Sequence, residues 1–214
     1  MDFFYEAHSR TGTGVRERVT EVTPSGMVLA ENRGMVHVDL LTAKAPAGSA
    51  TLDRPLDHLI ACHRRIDDKL SVLERASVHM GDRTEEALHA CHSTFAFLDS
   101  AGMLHIEDEE QSVFPRIRIH ASANELNYLH DLESQHHELD ACVSRLKSLT
   151  KQLERDPAPP DAREAFAKTV VKLASLYRAH MNSENEVLTE IGRARLDEVA
   201  LAEISFEMRL RRSH

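Results

Sequence analysis

Cysteine is sparse in this chain and no two cysteines are close together. Cys62, Cys91 and Cys142 are spread over 214 residues, match no Cys-x-x-Cys pattern and cannot all pair, so neither a disulfide framework nor a thiolate zinc site is indicated. They read as reduced, partly buried thiols. No uninterrupted apolar run is long enough to span a bilayer, and the opening MDFFYEAHSR has neither the basic start nor the apolar core of a secretory signal. A soluble, cytoplasmic protein without a membrane partner is expected. Positive charge is also short: 26 Lys and Arg against 35 Asp and Glu leave a formal charge of −9. That balance argues against nucleic acid as a partner, with the short RLRR near the C-terminus as a local exception.

Tryptophan is missing altogether, whereas histidine occurs 14 times. Histidine is both the commonest metal ligand and a frequent surface residue, so only position can sort the two. With 42% hydrophobic residues the chain can bury one sizeable core. Residues 1–50 differ from the rest, with Thr-Gly-Thr-Gly, Pro24-Ser25-Gly26 and short β-tending pieces such as VTEV and MVHVDL; they read as an irregular or β-hairpin extension. Residues 51–214 form the main domain. Its helical pattern starts at Leu52 and breaks around Met80-Gly81-Asp82, around 119–124 and at the prolines of 156–160, delimiting four long helices and a shorter one from about Leu196 to Leu210.

The apolar stripe of each long helix, at alternating spacings of three and four, separates inward histidines from outward ones. The stripes run Leu56, Leu59, His63, Ile66, Leu70 in the first helix and Phe95, Leu98, Gly102, His105, Glu109 in the second. They continue as Leu132, His136, Leu139, Val143 in the third and Leu173, Tyr177, His180, Glu184, Val187 in the fourth. Each helix carries one histidine in its core stripe, and two carry a glutamate one turn later. His58, His89, His92, His130 and His137 fall off the stripes and read as solvated or boundary residues.

Residues at i and i+4 share a helical face, so His105 with Glu109 and His180 with Glu184 can each direct a nitrogen and an oxygen to one point. Two buried glutamates without Lys or Arg in the stripes call for a cation. Four histidines and two carboxylates exceed the needs of one tetrahedral zinc and suit a pair of metals along a bundle axis. Mixed imidazole and carboxylate ligation suits iron, with zinc, manganese and copper able to occupy the same groups. The order His-x-x-x-Glu departs from the Glu-x-x-His of ferritin-like di-iron bundles.

A lone histidine in the first helix, HIEDEEQSVFP in the second, ESQHHELD in the third and HMNSENEVL in the fourth together resemble the hemerythrin-like, or HHE cation-binding, domain of bacterial type, over about residues 52–212. The resemblance implies an all-α, antiparallel (up-down) four-helix bundle holding two iron ions bridged by carboxylates. By motif match His63, His105, His136 and His180 would be terminal ligands and Glu109 and Glu184 the bridges. The family has a fifth histidine, for which His79 in ERASVHMGD is the nearest match, with His58 and His137 as alternatives. An unbroken helix would carry His79 ~24 Å from His63, so the chain would have to turn back near Ser77. Gln135 stands where the family often has glutamate.

Such a centre is expected to bind or sense dioxygen or a related small ligand. The alternatives are a redox enzyme acting on peroxide or nitric oxide, an iron donor for the repair of iron centres, and a structural metal or interaction module. A diatomic or peroxide molecule is the expected partner, with a homodimer left open. Tyr177, one turn before His180, is placed to line the ligand pocket or to serve as a core tyrosine. Asp67 and Asp140, each one turn after a proposed ligand, are placed to orient imidazole N–H groups or to stand as boundary carboxylates.

Overall fold

The computed structural model describes residues 51–155 and 160–213, which are all-α with no strand among them. Residues 1–50, and with them the expected hairpin extension, lie outside the described residues. Helix α1 (Pro55–His79) starts on a proline, whose missing N–H has no intrahelical partner to lose in the first turn. Helix α2 follows over 84–118, helix α3 is Ala123–Arg155, helix α4 covers 160–195 and helix α5 is Glu198–Arg211. The breaks expected at 80–82 and 119–124 are therefore present.

The starts of α3 and α5 are fixed by local hydrogen bonds. Ser122 and Glu125 form a capping box, in which the Ser122 N–H donates to Glu125 Oε2 at 2.6 Å and the Glu125 N–H donates to Ser122 Oγ at 3.4 Å. Asp197 caps α5 by accepting the Ala200 N–H at 2.8 Å. Three wide π turns interrupt the α-helical winding, at Leu98–Gly102, Glu109–Val113 and Val187–Gly192. The second sits just before Pro115, which has no N–H to give to the carbonyl of Gln111 and whose ring would crowd it; widening the turn relieves both.

Helix α1 packs on α2 and α4, α3 packs on α4 and α2, and α5 lies across α1 and α2. The apolar side chains divide into two layers. One holds Ile66, Leu70, Phe95, Leu139, Phe166 and Leu173, the other Leu59, Phe114, Ile117, Leu132, Leu188 and Met208. At about 1.5–3 kcal/mol for each fully buried side chain of this kind, these layers hold the helices together. The four long helices cross them in alternate order: α1 and α3 from the second layer to the first, α2 and α4 from the first to the second. Between the layers lies the polar band of His63, His105, Glu109, His136, His180 and Glu184, each 6% exposed or less. No helix among the described residues is long and apolar enough to cross a membrane.

Candidate metal centre

The polar band converges because each helix brings its in-stripe residue to the same level. Nε2 of His63 and Nε2 of His105 are 3.0 Å apart. Glu109 directs Oε1 to His105 at 3.2 Å and to His63 at 3.7 Å, and its other oxygen to His136 at 3.7 Å. Glu184 mirrors it, with Oε2 at 3.2 Å from His63 and Oε1 at 3.4 Å from His136 and 3.2 Å from His180. Each carboxylate thus divides its two oxygens between the pair His63/His105 and the pair His136/His180.

These separations fit cations. Two donor atoms each about 2.1 Å from a shared ion and at right angles to one another stand about 3.0 Å apart, close to the spacing of the His63 and His105 nitrogens and to the 3.2 Å from each of these two histidines to a glutamate oxygen. Both oxygens of Glu109, both of Glu184 and Nε2 of His136 are buried without a hydrogen-bond partner, a costly state for a carboxylate that a coordinated cation would relieve. His63, His105, Glu109 and Glu184 form one group of potential ligands, and His136, His180 and Glu184 form a second.

The family model of the hemerythrin HHE cation-binding domain matches residues 54–191. The chain belongs to this family. It is also similar to an uncharacterized protein of Haemophilus influenzae, with 28% identity over 171 residues, covering 78% of this chain and 95% of the relative.

In this hemerythrin-type centre six of the seven ligand candidates come together. His79 does not. Helix α1 is unbroken to His79, so sixteen residues of helix separate it from His63, and its ring, one-third exposed, meets Asp82 at 3.3 Å instead. The turn near Ser77 that would have brought it back does not occur. Neither His58 nor His137 joins either ligand group among the described residues. His89, His92, His130 and His137 are exposed, as their off-stripe positions predict, and His58 is half-buried.

The rings are oriented by residues other than those expected. Nδ1–H of His63 donates to Asn185 at 2.9 Å, that of His136 to Glu110 at 2.7 Å and that of His180 to Gln135 at 3.0 Å. Each acceptor sits beside a ligand of another helix: Asn185 follows Glu184, Glu110 follows Glu109, Gln135 precedes His136. That adjacency was the available signal. Asp67 is drawn away by Arg178, which donates to it at 2.7 Å and grips Glu74 with two further bonds. Asp140 is exposed on the wall of a cleft, and Tyr177 forms part of the same cleft.

Asp108, in the same stretch as His105 and Glu109, is fully enclosed. Arg211 donates to it at 2.8 Å and Arg212 at 2.6 Å, and Arg211 also reaches Ser112. Both arginines lie beyond the matched segment 54–191, so the added helix α5 neutralises the residue next to Glu109.

Electrostatics within the metal-free cluster follow from burial and the two carboxylates. Burial opposes a charge on His63, but Glu109 and Glu184 outweigh it and raise its pKa to about 10. His136 rises to about 9 for the same reason, with Glu184 foremost. Burial, followed by the positive charge of His63, pushes His105 well below 6.5. Burial and the charge of Glu184 lift Glu109, whereas burial of Glu184 is outweighed by the close rings of His136, His180 and His63, which hold it low.

Proposed function

We propose that the chain is a non-heme di-iron protein of the up-down four-helix hemerythrin type that binds or senses dioxygen or a related small ligand. The observation that supports it best is the division of both carboxylates, one oxygen of each toward each histidine pair, an arrangement suited to two bridged ions. The alternate order in which α1 to α4 cross the apolar layers supports the up-down bundle. A donor set of imidazole and carboxylate without thiolate suits iron, as it also suits zinc, manganese and copper.

His63 and His105 would hold one ion, His136 and His180 the other, with Glu109 and Glu184 between them. Two irons would supply the change of oxidation state that reversible dioxygen binding requires. The protein's own part is to orient the rings through Asn185, Glu110 and Gln135, and to exclude bulk water with the apolar layers on either side. Tyr177 stays protonated, since burial and then the charges of Glu184 and Asp140 push its pKa up, so its hydroxyl can donate to a ligand entering the cleft.

The test is metal analysis of anaerobically purified protein with visible spectra before and after exposure to oxygen. Two irons per chain and a reversible, stoichiometric spectral change are expected. One zinc and no colour would sink the proposal. Sustained consumption of peroxide or nitric oxide would instead assign the centre to an enzyme.

A further inference from the structure

A cleft of about 300 Å³ opens between α2 and α3 with Tyr177 of α4 among its walls. Leu98, Gly102, Ile106 and Glu110 recur along its α2 side, and His136, Leu139 and Val143 along its α3 side. It reaches the band of histidines: His136, of the His136/His180 pair, forms part of its wall beside the Glu110 that orients it.

Gly102 is the unexplained residue of that wall. Its backbone is ordinary helix, φ −66° and ψ −45°, so no left-handed conformation requires glycine. A Cβ there would meet Leu98 Cδ2 at 3.7 Å and the Phe97 carbonyl at 3.8 Å, which is normal contact, so no close approach requires it either. Glycine is also among the weakest helix formers. What remains is the space a side chain would fill, and that space is the cleft.

We propose that Gly102 is a specificity-determining position whose missing side chain keeps open the route by which an uncharged diatomic molecule reaches the His136/His180 half of the centre. This rests on the di-iron reading above. The lining includes the carboxyl-bearing residues Glu110 and Asp140, with Asp99 paired to Lys147 from outside the lining, and itself holds no lysine or arginine, so it offers no cationic side chain of that kind to an anion and dioxygen or nitric oxide fits better. Apolar walls at Leu98, Leu139 and Val143 suit such molecules as they suit xenon.

The experiment compares wild type, Gly102→Ala and Gly102→Leu. Xenon-induced shifts of the Leu139 and Val143 methyl resonances are read in zinc-loaded protein. Association rates of dioxygen and of nitric oxide are read by stopped flow in reduced, iron-loaded protein. Gly102→Leu is expected to keep the wild-type metal content, abolish the xenon shifts and slow both gases at least tenfold. Gly102→Ala should be more thermostable than wild type and intermediate in rate; slowing of one gas alone would identify that gas as the occupant. Unchanged gas rates in Gly102→Leu, or xenon shifts that persist in it, overturn the route while leaving the di-iron reading intact. A wild-type protein that binds xenon yet reacts with neither gas removes the di-iron reading, and the entry role with it.

Discussion

Gln135 accepts the Nδ1–H of His180 at 3.0 Å, whereas the neighbouring ligand His136 donates to the carboxylate of Glu110 at 2.7 Å. One ring of this pair is held by a neutral amide and the other by a charge. A carboxylate acceptor raises the basicity of the ring it holds, so the two rings of this pair would differ in donor strength toward a metal.

Gln135→Leu removes the acceptor of His180 and is expected to weaken metal binding about 10–100-fold, with Gln135→Glu restoring or exceeding wild-type affinity. Chelator competition measures both. Equal affinities in all three proteins would show that the hydrogen bond does not support the ligand.

Glu109 and Glu107 stand two residues apart, but only Glu109 is fully enclosed between the histidine pairs. Glu109→Ala should lose most of the bound metal and Glu107→Ala should retain it, read by elemental analysis. Equal losses would refute the assignment of faces.

His79→Ala should leave metal content and the visible spectrum unchanged, because the ring contacts Asp82 at the far end of α1. A lost ion in this variant would require α1 to break in solution.

Stability of the metal-free protein should fall as pH rises. His63 and His136 are raised to about 10 and about 9 from 6.5; their stabilising contribution is complete below pH 6.5 and lost as pH climbs through their folded values. The raised pKa of Glu109 acts in the same direction. Glu184, held low, contributes above pH 4.5 and loses that contribution as pH falls through its folded value. Calorimetry of chelated protein should therefore show Tm decreasing from pH 6.5 to 10. Over the same interval metal affinity should increase, because cations displace these protons. A Tm of the chelated protein that rises with pH would contradict these charge states.

Asp108→Ala leaves two guanidinium groups facing a lost partner and should destabilise the fold by about 3–5 kcal/mol, measured by urea unfolding. Arg212→Met, which leaves Arg211 in contact with Asp108, should cost less.

The converging residues were legible because burial and helical period act together: an in-stripe histidine on each of four helices can only meet the others. His63, His105, Glu109, His136, His180 and Glu184 followed from that periodicity. The end of α1 did not, since the pattern signals that a helix stops near Gly81 without saying whether a residue such as His79 doubles back first. The roles of Glu110 and Asp108 were not legible for a different reason. Both stand off the stripe, but partners from distant helices, the ring of His136 and the arginines of α5, reach over to them, and such pairing across the fold leaves no local periodicity. Gln135 and Asn185 serve rings on helices other than their own, so only their adjacency to His136 and Glu184 marked them.

Glu184 contributes one oxygen to each histidine pair, so neither half-site is complete until α4 has been made. A ribosome that has synthesised α1, α2 and α3 has produced His63, His105, Glu109 and His136 but no finished coordination sphere. Metal loading would thereby be postponed until the chain has closed on itself.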